Sequence, residues 1–244
     1  MKDIVIGFFK QLGLSVSKYS ETKAKERTDY LRLKRIFEKY ISYTMIPELV
    51  YIDNLALAEQ TTALSGDVVE CGVWKGGMIA GIADTLGAKK QYWLFDSFEG
   101  LPEATAIDGN AAVNWQKNTN GRFYYNNCSA EEGEARAAME KSPAQHVQFV
   151  KGWFKDTVHH APITSISLLR LDGDWYESTY TCLEAFYPKV IDGGCILIDD
   201  YYQWEGCAKA VHDYLSKNQL SDRIHQSKHG VAYIIKNKPI NEVI

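Results

Sequence analysis

From Asp67 onward, short apolar runs alternate with stretches whose apolar residues recur every three or four positions. The runs at 67–73, 91–96 ("QYWLFD"), 147–151 ("VQFVK"), 165–172 ("SISLLRLD"), 194–200 ("GCILIDD") and 230–236 ("GVAYIIK") predict strands, and those at 76–87, 177–187 and 205–217 predict helices. Nearly continuous apolar strands interleaved with helices imply a parallel sheet covered on both faces, a doubly wound α/β domain. Upstream, "ETKAKERTDYLRLKRIFEKY" places Tyr30, Leu33, Ile36, Phe37 and Tyr40 near one helical face, which predicts a helical cap or subunit contact over 1–43. A turn at Pro47 and a helix ending near Gly66 follow, opening the main domain at 44–244. Glu99 to Gln145 is long, polar and rich in Asn, Gly and Ala, so it is a lid or an inserted helical element beside a site.

Composition changes this picture little. The chain has 244 residues, 45% of them apolar, which suits one core. A net charge of −4, without a long basic run, argues against nucleic acid and for a small-molecule partner. The five scattered cysteines lack C-x-x-C spacing and read as reduced thiols, which predicts a cytoplasmic protein. "IVIGFF" at 4–9 is far shorter than the roughly 20 residues that span a bilayer, so no membrane insertion is expected.

The chemistry concentrates at predicted strand ends. "DVVECGVWKGG" ends a strand at Glu70 and places Gly72, Gly76 and Gly77 before a helix; such a turn lets backbone approach a ligand, and G-x-G-x-x-G, which would seat a pyrophosphate, is absent. Asp96 ends the next strand, where a carboxylate can accept both hydroxyls of a ribose. Together they suggest S-adenosylmethionine. Asp172, Asp199 and Asp200 end two further strands, and carboxylates so placed repel one another unless a cation such as Mg²⁺ neutralises them. The competing reading makes Asp172, Asp174, Asp199 and Asp200 helix caps.

These stretches, with "YTMIPELVYIDNL", "YWLFDSFEGLPE", "VKGWFKDTV", "LLRLDGDWYESTYTCLEAFYPKVIDGGCILIDDY" and "GCAKAVHDY", resemble the macrocin O-methyltransferase family over about residues 43–215. The resemblance implies Mg²⁺-dependent methyl transfer from S-adenosylmethionine to a sugar or phenol hydroxyl, and a mostly parallel seven-stranded sheet with an antiparallel last strand. It puts Glu70, Cys71, Gly72, Val73, Gly76 and Gly77 around the methionine end of the cofactor and Asp96 with Ser97 on its ribose. Gly152 and Trp153 border the adenine, and Thr44 and Met45 close over the cofactor. Asp172, which also lies beside the cofactor, Asp199 and Asp200 become the metal ligands. The catechol-type lysine has no counterpart, since Trp175 stands there, so Asp172 or hydroxide on the ion is the candidate base. His159, beside His160, either contacts the acceptor or acts as a base, or belongs to a surface pair.

Some features point elsewhere. "YLRLK" at 30–34 has dehydrogenase spacing but lies before the first strand and reads as a helix face. "HQSKHG", with His225 and His229, reads as a solvated loop, and Trp115, Phe123, Tyr124 and Tyr125 either line an acceptor or pack the lid. The rival enzyme is a metal-dependent nucleotide-sugar glycosyltransferase using Asp172-Gly173-Asp174, which leaves the Glu70 turn unexplained. A cofactor-binding module without catalysis is the third reading. The helical N-terminus predicts a homo-oligomer.

Overall fold

A computed structural model describes residues 21–237. The apolar "IVIGFF" segment lies outside them. Strands β1 (Asp67–Cys71), β2 (Gln91–Asp96), β3 (His146–Lys151), β4 (Ile166–Leu171), β5 (Val190–Ile198), β6 (His225–Gln226) and β7 (Ala232–Ile235) form one sheet in the order β3-β2-β1-β4-β5-β7-β6. The first five are parallel, and β7 is antiparallel to both β5 and β6. The expected seven strands with an antiparallel end are present. Strand order reverses between β1 and β4, so the crevice of this α/β sheet opens beyond their C-terminal ends.

Alternate residues of each strand feed opposite layers. Val68, Leu94, Leu168 and Leu197 pack against α1 (Glu21–Tyr40), α2 (Glu48–Glu59), α3 (Gly77–Leu86) and, from the 99–145 segment, the helix that includes Ala135 and Ala138. Val69, Cys71, Leu169, Ile196 and Ile198 pack against the helices that follow β4 and β5. Leu33, Phe37 and Tyr40 of α1 are buried in the first layer, so this helix completes the core of that face. Tyr30 and Lys34 both contact Glu48, which fixes "YLRLK" on a helix face away from the crevice. Helix α2 ends at Glu59, short of the expected Gly66, because hydrogen-bonded turns take over from Gln60 to Leu64.

The segment 99–145 is an inserted helical element, with α4 (Gly109–Lys117) and α5 (Glu132–Glu140) joined by an irregular turn. The helices that follow it are α6 (Phe154–Thr157), α7 (Tyr176–Phe186) and α8 (Glu205–Lys217). The "HQSKHG" segment differs from the solvated loop expected of it. His225 and Gln226 pair with β7, and His229 bonds to Asp53 of α2. All five cysteines are free, and among the described residues no helix is long and apolar enough to cross a membrane.

Candidate active site

Strand register brings the acidic residues together. Glu70 on β1 lies opposite Arg170 on β4, and Arg170 lies opposite Leu197 on β5. Two residues after Arg170, on the same face of the pleat, comes Asp172; Leu171 pairs with Ile198, so Asp172 and Asp199 leave adjacent strands side by side. The guanidinium of Arg170, itself 1% exposed, donates to Glu70 Oε1 at 2.9 Å, to Asp172 Oδ2 at 2.6 Å and to Asp199 Oδ1. Burial alone would lower the Arg170 pKa, but the charges of Asp172, Asp199 and Glu70 raise it well above its usual value.

Arg170 has no assigned role in the sequence reading. Its signal was available: an arginine inside the apolar strand "SLLRLD" must find charged partners when that strand is covered on both faces.

A second acidic group stands beside the first. Oxygens of Asp172, Asp174 and Asp200 lie within 4.8 Å of one another, while Asp199 is turned to Arg170. Asp174 adopts a left-handed backbone (φ 56°); its N–H donates to Asp200 Oδ2 at 3.0 Å, and its own carboxylate accepts Trp204 Nε1 at 2.9 Å. Burial pushes the carboxyls up: Asp174 to about 8, with the charge of Asp172 adding to it, and Asp199 to about 6 against the pull of Arg170. Asp200 rises well above its ordinary value through burial and the charges of Asp174 and Asp172. The helix-cap reading fails. Neither α7 nor α8 has a side-chain cap at its N-cap residue, and the N–H of Tyr176 is instead taken by Asp108 of the inserted segment at 2.8 Å.

The glycine turn is shaped by the chain itself. A Cβ on Gly72 (φ 90°) would lie 1.7 Å from the Asp172 carbonyl oxygen, one on Gly76 2.9 Å from Ala135 Cα, and one on Gly77 2.5 Å from the Tyr43 carbonyl oxygen. Neighbouring backbone therefore leaves no room for a side chain at any of the three. Asp96 closes the turn: Oδ2 accepts the N–H groups of Val73 (2.7 Å) and Trp74 (2.8 Å), and Oδ1 accepts that of Phe98 (2.6 Å). A carboxylate offers about four lone pairs, so one remains, on Oδ1. Simultaneous acceptance of both ribose hydroxyls does not fit; one does.

The aspartates, Glu70 and most of the glycine turn border one cavity of about 940 Å³, lined also by Thr44, Met45, Ser97, Gly152, Trp153, Phe154 and Trp204. Of the residues expected at the site, Glu70, Gly72, Val73, Gly77, Asp96, Asp172, Asp199 and Asp200 line it as well. Cys71, Gly76 and His159 do not. The Cys71 side chain points into the opposite layer toward Cys182, Gly76 is packed on α5, and His159 is exposed in the turn 158–160, away from the cavity.

The wall fits a cofactor and an ion on its own terms. Glu70 Oε2 is buried without a hydrogen-bond partner, and burial, opposed by Arg170, pushes that carboxyl up to about 8. An ammonium group from a ligand would satisfy it. Asp172, Asp174 and Asp200 form a hard-oxygen set short of positive charge, which suits a small divalent cation.

The macrocin-O-methyltransferase (TylF) family matches residues 2–234. The 8-demethyl-8-(2,3-dimethoxy-alpha-L-rhamnosyl)-tetracenomycin-C 4'-O-methyltransferase of Streptomyces olivaceus is 36% identical over 197 residues, covering 76% of this chain and 72% of that protein. The mycinamicin III 3''-O-methyltransferase of Micromonospora griseorubida is 34% identical over 197 residues, covering 75% and 74%. Among solved structures, the O-methyltransferase NovP superposes with a TM-score of 0.67 at 32% identity, over 80% of this chain and 83% of that one. By this match and these relatives, the chain belongs to the macrocin-O-methyltransferase family.

Proposed function

We propose that the protein transfers a methyl group from S-adenosylmethionine to a hydroxyl of a sugar, or of a related polyhydroxylated or phenolic natural product, with a divalent cation such as Mg²⁺ bound at the aspartates. One observation carries this reading: a single cavity joins the unpartnered Glu70 Oε2 to the Asp172, Asp174 and Asp200 cluster. S-adenosylmethionine would supply an electrophilic methyl group, and the cation would lower the pKa of the acceptor hydroxyl.

The chain's own residues do the rest. Glu70 Oε2 accepts from the α-ammonium of the methionine end, Asp96 Oδ1 from one ribose hydroxyl, and Gly152 and Trp153 wall the adenine. Asp172, Asp174 and Asp200 hold the ion, with Asp199 held back by Arg170. The expected base was Asp172, but one of its oxygens is engaged by Arg170. Asp174, beside Asp172 and with no contact to Arg170, is the carboxylate better placed to take the acceptor proton. The glycosyltransferase reading is not favoured, since it leaves Glu70 and Asp96 without work and the relatives are methyltransferases.

Calorimetric titration with S-adenosylmethionine and S-adenosylhomocysteine, with and without Mg²⁺, tests the proposal, followed by methyl transfer to rhamnosides and phenols. Micromolar binding with Mg²⁺-dependent transfer is expected. Binding of a nucleotide sugar in place of S-adenosylmethionine would refute it.

A further inference from the structure

The parallel strands supply the carboxylates, but the antiparallel β7 also reaches the same edge. Its first residue, Ala232, pairs with Ile198, which precedes Asp199, so the β6–β7 loop stands beside the site, and His229 and Gly230 line the cavity. Asp53 of α2 grips that loop. Its Oδ2 accepts the His229 backbone N–H at 2.8 Å, and its Oδ1 lies 2.9 Å from His229 Nδ1. An ionised carboxylate only accepts, so Nδ1 carries the hydrogen, and in the neutral imidazole Nε2 keeps a lone pair. Among the described residues Nε2 has no hydrogen-bond partner, and Val50, one turn before Asp53 on α2, lines the same cavity as His229, with Met45, Ile46 and Pro47. A lone oriented polar atom among apolar lining residues is how small-molecule sites fix orientation.

We infer that His229, held by Asp53, is an acceptor-binding residue. Its Nε2 takes a hydrogen bond from a hydroxyl of the acceptor other than the one methylated, which makes the site selective for sugars that carry a second free hydroxyl. The inference rests on the proposed sugar O-methylation. The carboxylate cluster handles the reacting hydroxyl on the wall formed by β4 and β5, whereas His229 acts from the wall formed by α2 and the β6–β7 loop.

The test uses p-nitrophenyl α-L-rhamnopyranoside and its three monodeoxy analogues as probes, with wild-type protein, His229→Phe, His229→Gln and Asp53→Asn. The wild type should lose about tenfold in kcat/KM on one deoxy analogue, the effect of one hydrogen bond to a half-buried group. His229→Phe should lose the same factor on the parent rhamnoside, chiefly through KM, and should no longer distinguish that analogue. His229→Gln, which keeps an acceptor oxygen, should recover part of the loss, and Asp53→Asn should fall between. The S-adenosylmethionine Kd should stay within about twofold throughout, which separates a contact with the acceptor from a general loosening of the fold. Discrimination that survives His229→Phe, or a fall in kcat at unchanged KM, overturns the inference. A wild-type protein that binds S-adenosylmethionine but methylates none of the rhamnosides overturns it too, whereas failure to bind the cofactor at all sinks the methyl-transfer reading beneath it.

Discussion

Replacing Arg170 by Met removes the only guanidinium that lines the cavity among the described residues and leaves three carboxylates behind. They do not suffer equally. The side chains of Asp172 and Asp199 are 27% and 20% exposed and can turn to water, while that of Glu70 is 1% exposed and, among the described residues, has no other partner. Breaking a buried pair by deleting one partner costs about 3–5 kcal/mol, nearly all of it here the Glu70 charge stranded above about pH 8, where that carboxyl is ionised. In a chain of this size that is a fall in Tm of roughly 10 °C. Urea unfolding of the Arg170→Met, Glu70→Gln and double variants above about pH 8 measures it directly. With Arg170 absent, Glu70→Gln should recover most of the loss, since a neutral amide has no charge left to strand. The same substitution should weaken S-adenosylmethionine binding in either background, because it also removes the anionic Oε2. A loss under about 1 kcal/mol for Arg170→Met, or no recovery in the double variant, would show that Arg170 does not hold this constellation together.

Three other outcomes follow from the same geometry. Gly72→Ala should destabilise by more than about 2 kcal/mol, since its methyl would overlap the Asp172 carbonyl at a φ of 90°; calorimetric melting checks it. Asp96→Asn retains one acceptor oxygen for three backbone N–H groups, so the turn at Val73 and Trp74 should loosen and the cofactor Kd should rise about tenfold or more with little change in kcat, read by calorimetry and initial rates. With divalent cations chelated, stability should fall as pH rises from about 5 to 8: burial lifts the Glu70 pKa to about 8, so the folded state holds a proton that the unfolded chain has released, and Asp174 and Asp199 act with the same sign. Denaturation at several pH values with and without Mg²⁺ should show the slope flatten when the ion is present.

The alternation of strands and helices was legible because strands covered on both faces must be apolar throughout, and that pattern survives in a single sequence. The cavity wall was legible wherever a polar residue stands at or just beyond the end of a strand, as Glu70, Asp96, Asp172 and Asp200 do. What escaped depends on register or on distant chain. Glu70 and Arg170 are paired across β1 and β4, a hundred positions apart. Asp53 and His229 meet only because an antiparallel strand returns its first residues to the active edge. The Gly76 turn was read as a ligand seat, but what it accommodates is Ala135 of an inserted helix whose position no local pattern reveals.

The acidic motif also explains why it needs so many aspartates. Consecutive residues leaving a strand face opposite sides, so Asp199 turns to Arg170 and Asp200 turns away from it. On the neighbouring strand Asp172 shares the Arg170 side, and the left-handed turn at Asp174 swings its carboxylate across to Asp200 and Trp204. The pleat thereby sorts one run of acids: Asp199 is neutralised by a fixed arginine, Asp174 and Asp200 have no protein cation among the described residues, and Asp172 touches both groups. The neutralised group ties β1, β4 and β5 at the switch point; the other group keeps a deficit of positive charge that a cation, or protons when it is absent, must fill. Replacing Asp199 by Asn should therefore cost stability more than Mg²⁺ affinity, and replacing Asp200 by Asn the reverse, a contrast that denaturation and metal titration resolve. Equal loss of Mg²⁺ affinity in both variants would mean that Asp199 leaves Arg170 to join the ion.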